Sequence, residues 1–183
     1  MKSQEYGYLK QEILDSIGYT KQYRSILYTV IAAILAFAFT QNEPIIFLIP
    51  IVVIIPTYIL QANQTRSTLR IGAYIMVFME KDKPGWETRL AEYDAKYSPE
   101  NPNISPHIFI TVCCFCLCIF ELDYSNFTSR GTIVRLIVAI LYLIVCAVIL
   151  ETKKVDYGKE KEKYIEQWKE IKAEEKKKRK NRK

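Results

Sequence analysis

Histidine is all but missing from this chain. His107 is the only one in 183 residues, which removes the side chain that most often moves protons near neutral pH. Glycine is scarce as well, six in all, and nowhere arranged as a phosphate-cradling loop. No nucleophile is set beside a base, and no His, Cys or carboxylate group has the spacing of a metal site. Four of the five cysteines crowd into Cys113, Cys114, Cys116 and Cys118, but on a helix only Cys114 and Cys118 share a face, with Cys146 as a further candidate neighbour. These read as small, soft packing residues. No catalytic residue, metal or cofactor is therefore expected, and the chain does not read as an enzyme.

The most informative absence is that of charge. Ser25–Asn42, Pro44–Thr65, Asn101–Phe120 and Leu136–Leu150 contain no Asp, Glu, Lys or Arg. A helix rises about 1.5 Å per residue, so about 20 apolar residues cross a hydrocarbon core roughly 30 Å thick. The first two runs meet that length. The third starts near Ser105, after Pro102, and reaches towards Leu122; the fourth needs Ile133 and Val134, which brings Arg135 to its outer end. The first run begins too far along the chain, and is too long, for a signal-peptide core. The expected fold is all-α: an integral membrane four-helix bundle with an amphipathic N-terminal helix, a cytoplasmic helical elbow and a basic C-terminal helix. Its expected segments are 1–24, 25–62 (spans one and two), 63–104 (elbow), 105–150 (spans three and four) and 151–183.

Basic residues near span ends set orientation. Lys2, Lys10, Lys21 and Arg24 precede span one, and Arg66, Arg70, Lys81, Lys83, Arg89 and Lys96 lie between spans two and three. Gln41–Glu43 has none, and Glu121–Gly131 has only Arg130. Both termini and the elbow are thus expected in the cytoplasm. Residues 151–183 hold fourteen basic and eight acidic side chains, which accounts for the whole net charge of +6.

Tyr6, Leu9, Ile13 and Ile17 form one helical stripe that Gly18 should end. Pro50 and Pro56, six residues apart, predict a bent second span. Its helix should run on through Ile71, Tyr74, Ile75, Phe78 and Met79 until Lys83-Pro84-Gly85 breaks it. Trp86–Tyr97 is a short second helix, with Trp86, Leu90, Tyr93 and Tyr97 on one side. In the tail, Tyr157, Tyr164, Trp168 and Ile171 make an a/d-like seam of about two heptads, too short to claim a coiled coil, that could equally dock on the Trp86–Tyr97 helix. The basic run Lys176–Lys183 reads as a disordered tail that binds anionic lipid.

One polar stripe interrupts the apolar pattern. Thr57, Gln61, Gln64 and Thr68 recur at i, i+4, i+7 and i+11, with Arg66 and Arg70 beside them. Polar groups in a span turn towards a partner helix or water. Several subunits could set the stripe around a pore, with the arginines gating it or holding a phosphate-bearing ligand. Alternatively the stripe bonds within its own subunit. Glu121 and Arg135 form a candidate pair at the outer ends of spans three and four. No buried ionisable pair or internal repeat supports coupled transport.

In size, short outer loops and an elbow from Arg66 to Trp86, the chain resembles, in architecture only, the small four-span membrane proteins of bacterial antiphage defence operons, such as those of the Hailong and Kiwa systems. The resemblance implies a homo-oligomer in the bacterial inner membrane, acting as an ion channel or membrane sensor under control of a cytosolic partner or nucleotide product. It transfers no residue role. The leading expectation is a homo-oligomeric membrane pore or ion channel gated from the cytoplasm, which the resemblance would make an antiphage defence effector; the alternative is a non-conducting scaffold or sensor that recruits a cytosolic partner.

Overall fold

The computed structural model describes residues 2–41, 43–80, 85–97, 105–122, 129–153 and 157–181. Among them every regular element is helical: α1 (Lys2–Gln41), α2 (Ile49–Tyr74), α3 (Trp86–Tyr97), α4 (Pro106–Phe120), α5 (Arg130–Lys153) and α6 (Tyr157–Asn181). A tight 3₁₀ turn at Pro44–Leu48 precedes α2, and a wider π turn at Ile75–Met79 follows it. Three helical stretches, Gln4–Gln41, Pro44–Met79 and Arg130–Thr152, are long and apolar enough to cross a membrane. Helix α4 is as apolar but has 15 residues, about 22 Å at the α-helical rise.

Two sequence expectations change here. Gly18 does not end the first helix, which runs on to Gln41. Glycine weakens a helix interior by about 1 kcal/mol without blocking its hydrogen bonds, so flanking helix formers carry it through. The two prolines of α2 are also not equivalent. Pro50 is the second residue of α2 and Pro56 lies in its interior. In its first turn α2 has amide groups without helical acceptors anyway, so Pro50 removes no needed donor.

The chain divides into two compact units. One comprises residues 20–62 and 103–154; the other comprises 1–19, 63–102 and 155–183. The first unit holds the apolar core, in which Leu27, Ile31, Phe47, Ile54, Ile110, Val138 and Tyr142 are buried. Its α4 and α5 pack along each other, and α5 also packs on the 3₁₀ turn. Tyr142 is fully buried, and its hydroxyl donates to the Phe47 carbonyl at 2.7 Å. Phe39 meets Phe47 edge-on at 5.7 Å between ring centroids.

On α4 the buried face is a stripe of His107, Thr111, Cys114 and Cys118. Cys114 and Cys118 share this face, Cys116 is exposed, and all five cysteines are free thiols. His107 is 2% exposed and packs edge-on against Tyr58. Outward faces are apolar: Ile133, Ile137, Ile140, Ile144 and Val148 of α5 are all exposed. Such a stripe is an aggregation liability in water and a suitable surface in hydrocarbon.

If the Tyr142 bond behaves as other intramembrane hydrogen bonds do, Tyr142→Phe should destabilise the folded chain by only about 0.6 kcal/mol. Tyr142→Ala also opens a cavity and should cost about 3–5 kcal/mol. Denaturant titration of the detergent-solubilised protein, followed by circular dichroism, separates the two.

Candidate functional site

The second unit is built where α2 continues past residue 63. Aromatic and basic side chains of this stretch receive α6 along its length. Trp168 of α6 is the central contact: its Nε1 donates to the Arg70 carbonyl at 3.2 Å. Its ring lies edge-on to Tyr74 at 5.1 Å and to Phe78 at 6.1 Å. Tyr74 and Phe78 stack on each other at 4.7 Å, as residues four apart on one helix face can. The Tyr74 hydroxyl then donates to Glu5 of α1 at 2.8 Å.

Charged side chains lock the same helix. Arg66 pairs with Glu160 at 3.2 Å. Lys161 pairs with Glu87 of α3 at 3.3 Å, with both side chains largely covered. Gly72 makes room for that pair, since a Cβ at this position would lie 2.8 Å from Glu87 Oε2. Lys172 places its ammonium 5.0 Å from the Phe78 ring centre and donates to the Val77 carbonyl. Val77 lies in the last turn before the helix ends, where carbonyls lack helical donors, so a lysine there both bonds and complements the helix dipole.

The turn from this helix into α3 depends on one carboxylate. Glu80 accepts the amides of Glu87 and Thr88, each at 2.9 Å, and the Thr88 hydroxyl at 2.6 Å. It therefore caps the N-terminus of α3 as an anion. Gly85 allows the approach, because a Cβ there would come within 2.3 Å of the Glu80 carboxyl group. Burial opposes ionisation of Glu80, but the bonds from Thr88, Glu87 and Gly85 outweigh it and lower its pKa below the usual 4.5.

The structure places the residues of the polar stripe as follows. Thr57 donates to the carbonyls of Val53 and Ile54 in its own helix. Gln61 and Gln64 are half-buried. Thr68 donates to the Gln64 carbonyl at 3.1 Å, and its hydroxyl lies 2.8 Å from that of Ser16 on α1. Arg66 and Arg70 both meet α6, one through its guanidinium and the other through its carbonyl. In the other unit, Arg135 lies 4.0 Å from Glu121.

The α6 seam differs from the one read in the sequence. Trp168 and Tyr164 are partly covered, whereas Tyr157 and Ile171 are exposed. Glu160, Lys161 and Lys172 supply the rest of the docking face. On α3, Trp86 and Tyr93 are also exposed, at 65% and 60%. Helix α6 extends to Asn181, through most of the basic run expected to be disordered. Lysine and arginine are good helix formers and suit a helix C-terminus.

No family model, curated protein or solved structure matches the chain.

Glu80 gives this unit a pH dependence. A carboxyl with a lowered folded pKa stabilises fully above its ordinary pKa. That contribution is lost as pH falls from about 4.5 through the lowered folded value. Hydrogen exchange at the Glu87 and Thr88 amides, corrected for intrinsic rates, should show α3 loosening over this window. Glu80→Gln should show faster exchange already at neutral pH and lose the acid-induced change.

Proposed function

We propose that this chain is a multi-pass membrane protein that acts as a sensor or recruiting scaffold, with α6 clasped on the elbow as its controlled element. The carrying observation is the docking of Trp168 onto Arg70, Tyr74 and Phe78. Around it, the polar groups that a pore would turn to water meet partners in their own chain: Thr57 its helix, Thr68 Ser16, and Arg66 Glu160. The excess of Lys and Arg on the elbow and tail supports a cytoplasmic location for both and for the N-terminus. Under this reading α4 is also a span, the third along the chain, reaching the interface with Ser105 and Glu121 at its ends. Assembly as a homo-oligomer and residence in a bacterial inner membrane belong to the same proposal.

The clasp suits reversible control because α6 is held by two aromatic contacts of Trp168, two ion pairs and one lysine rather than by a continuous apolar core. Each aromatic pair contributes about 0.5–1.5 kcal/mol, and the half-exposed Arg66–Glu160 pair about 1 kcal/mol or less. A ligand or partner that prefers one arrangement can shift such an element.

The test joins conformation to output. Spin labels at Arg70 and Ile171 in the reconstituted protein should report one short distance, broadened and lengthened by Trp168→Ala. The intact protein and this variant should both carry no current above the lipid baseline. A current abolished by Gln61→Leu would instead establish the homo-oligomeric pore. A reporter fused after Lys183 should register the cytoplasmic side; an outward signal would overturn the orientation.

A further inference from the structure

Beside the clasp lies a cleft of about 420 Å³, formed by the π turn, Glu80, the start of α3 and α6. Five α6 residues line it: Ile165, Lys169, Lys172, Ala173 and Lys176. Three of the five are lysines and none is acidic. This arrangement is unfavourable by itself, because like charges at i, i+3 and i, i+4 destabilise a helix. The same helix carries glutamates elsewhere, at positions 160, 162, 166, 170, 174 and 175, so the acid-free lining is local.

The one acid on the cleft wall does not neutralise these lysines. Both Glu80 oxygens are engaged by the amides of α3 and the Thr88 hydroxyl. Lys172 is directed to the Val77 carbonyl and the Phe78 ring. Lys169 and Lys176 form no ion pair among the described residues and are exposed. The remaining wall is apolar, with Met76 and Val77 of the π turn and Ile165 of α6. Clefts of this volume with apolar walls and a few convergent polar groups are the usual form of a small-ligand site, and π turns recur at functional sites.

We propose that this cleft binds a phosphate-ester anion, held by Lys169 and Lys176 with its apolar portion against Met76, Val77 and Ile165. A multiply charged group suits two unpaired ammonium ions two turns apart on one helix face, and its binding relieves their repulsion. The proposal deepens the sensing role by naming the ligand class, and it places the ligand on the helix that forms the clasp. Arg66, the earlier candidate for such a ligand, is paired with Glu160 instead. The phosphate can come from a soluble metabolite or an anionic lipid headgroup; both present the same chemistry to the lysines.

Binding can be measured without any membrane output, so failure of the sensing role and failure of this site are distinguishable. Full-length protein in phosphatidylcholine nanodiscs is titrated with inorganic pyrophosphate by calorimetry. Fluorescent phosphatidylglycerol is partitioned into the same nanodiscs in a parallel arm, with headgroup proximity read from energy transfer from Trp168 in a Trp86→Phe background. Saturable binding in the first arm identifies a soluble ligand, and specific enrichment in the second a headgroup. Either supports the site if Lys169→Gln/Lys176→Gln weakens it at least tenfold. The charge-matched control Lys177→Gln/Lys178→Gln should change it less than twofold. Ala173→Phe, which narrows the cleft without altering charge, should also weaken binding. Equal losses in both lysine pairs would reduce the effect to general electrostatics and overturn the site, as would no binding in both arms.

Discussion

Hydrocarbon offers no hydrogen bonds, and this constraint orders the whole chain. A segment that enters it must satisfy its backbone within itself, which leaves the helix as the solution for each apolar run. The hydroxyls obey the same constraint. Thr29, Thr57, Thr111 and Thr152 each donate to a carbonyl three or four residues back in their own helix. Tyr142 has no such acceptor within reach and bonds instead to Phe47 across the bundle. Polar side chains therefore occur in the apolar unit without demanding water, and their presence alone is poor evidence for a wet path. His107 is the exception. Its two ring nitrogens are buried and have no hydrogen-bond partner among the described residues.

The other unit solves a different problem, because its helices are too charged to associate by apolar burial alone. Helix α6 is bound by a single tryptophan, flanked by ions whose stems supply much of the contact. Lysine is suited to this, since its methylene chain covers apolar surface while its ammonium reaches an acceptor. Lys172 does both, covering Phe78 and bonding to the carbonyl of Val77.

This difference explains what could be read from the sequence. The apolar helices were legible because absence of charge is a long, continuous signal, and the start of α4 was legible because Pro106 fits the first turn of a helix. The continuation of the second apolar helix was legible through its periodic Tyr74 and Phe78, and α3 through its start at Trp86; the expected break at Lys83 and Pro84 lies outside the described residues. The docking face of α6 was not, because an a/d seam counts only apolar positions. Trp168 fitted that seam and is the central contact, but Tyr157 and Ile171 fitted it too and remain exposed, whereas Lys161 and Lys172, outside the seam, complete the docking face. The signal that was present is Lys172 one turn after Trp168. The cap by Glu80 was hidden for a related reason. A capping box joins residues three apart, but here the carboxylate and the amide it accepts, Glu80 and Glu87, are seven apart.

Glycine ties these observations together, because it marks the points where charge must come close to backbone. Gly72 leaves space for the Glu87 carboxylate, and Gly85 leaves space for that of Glu80. Neither is required by a positive φ; both are required by proximity. Gly7 and Gly18, by contrast, face open space where a Cβ would meet nothing within 4 Å. The two glycines at which a Cβ would clash, Gly72 and Gly85, therefore lie on either side of the π turn, next to the carboxylates that fix α3. One carboxylate holds Lys161 of α6 and the other holds the first turn of α3. Movement of α6 away from Glu87 would leave a largely covered acid without its cation, and burial of an unpaired charge is unfavourable. Under the proposed sensing role, release of α6 would therefore also disturb α3, because Glu87 would lose its cation.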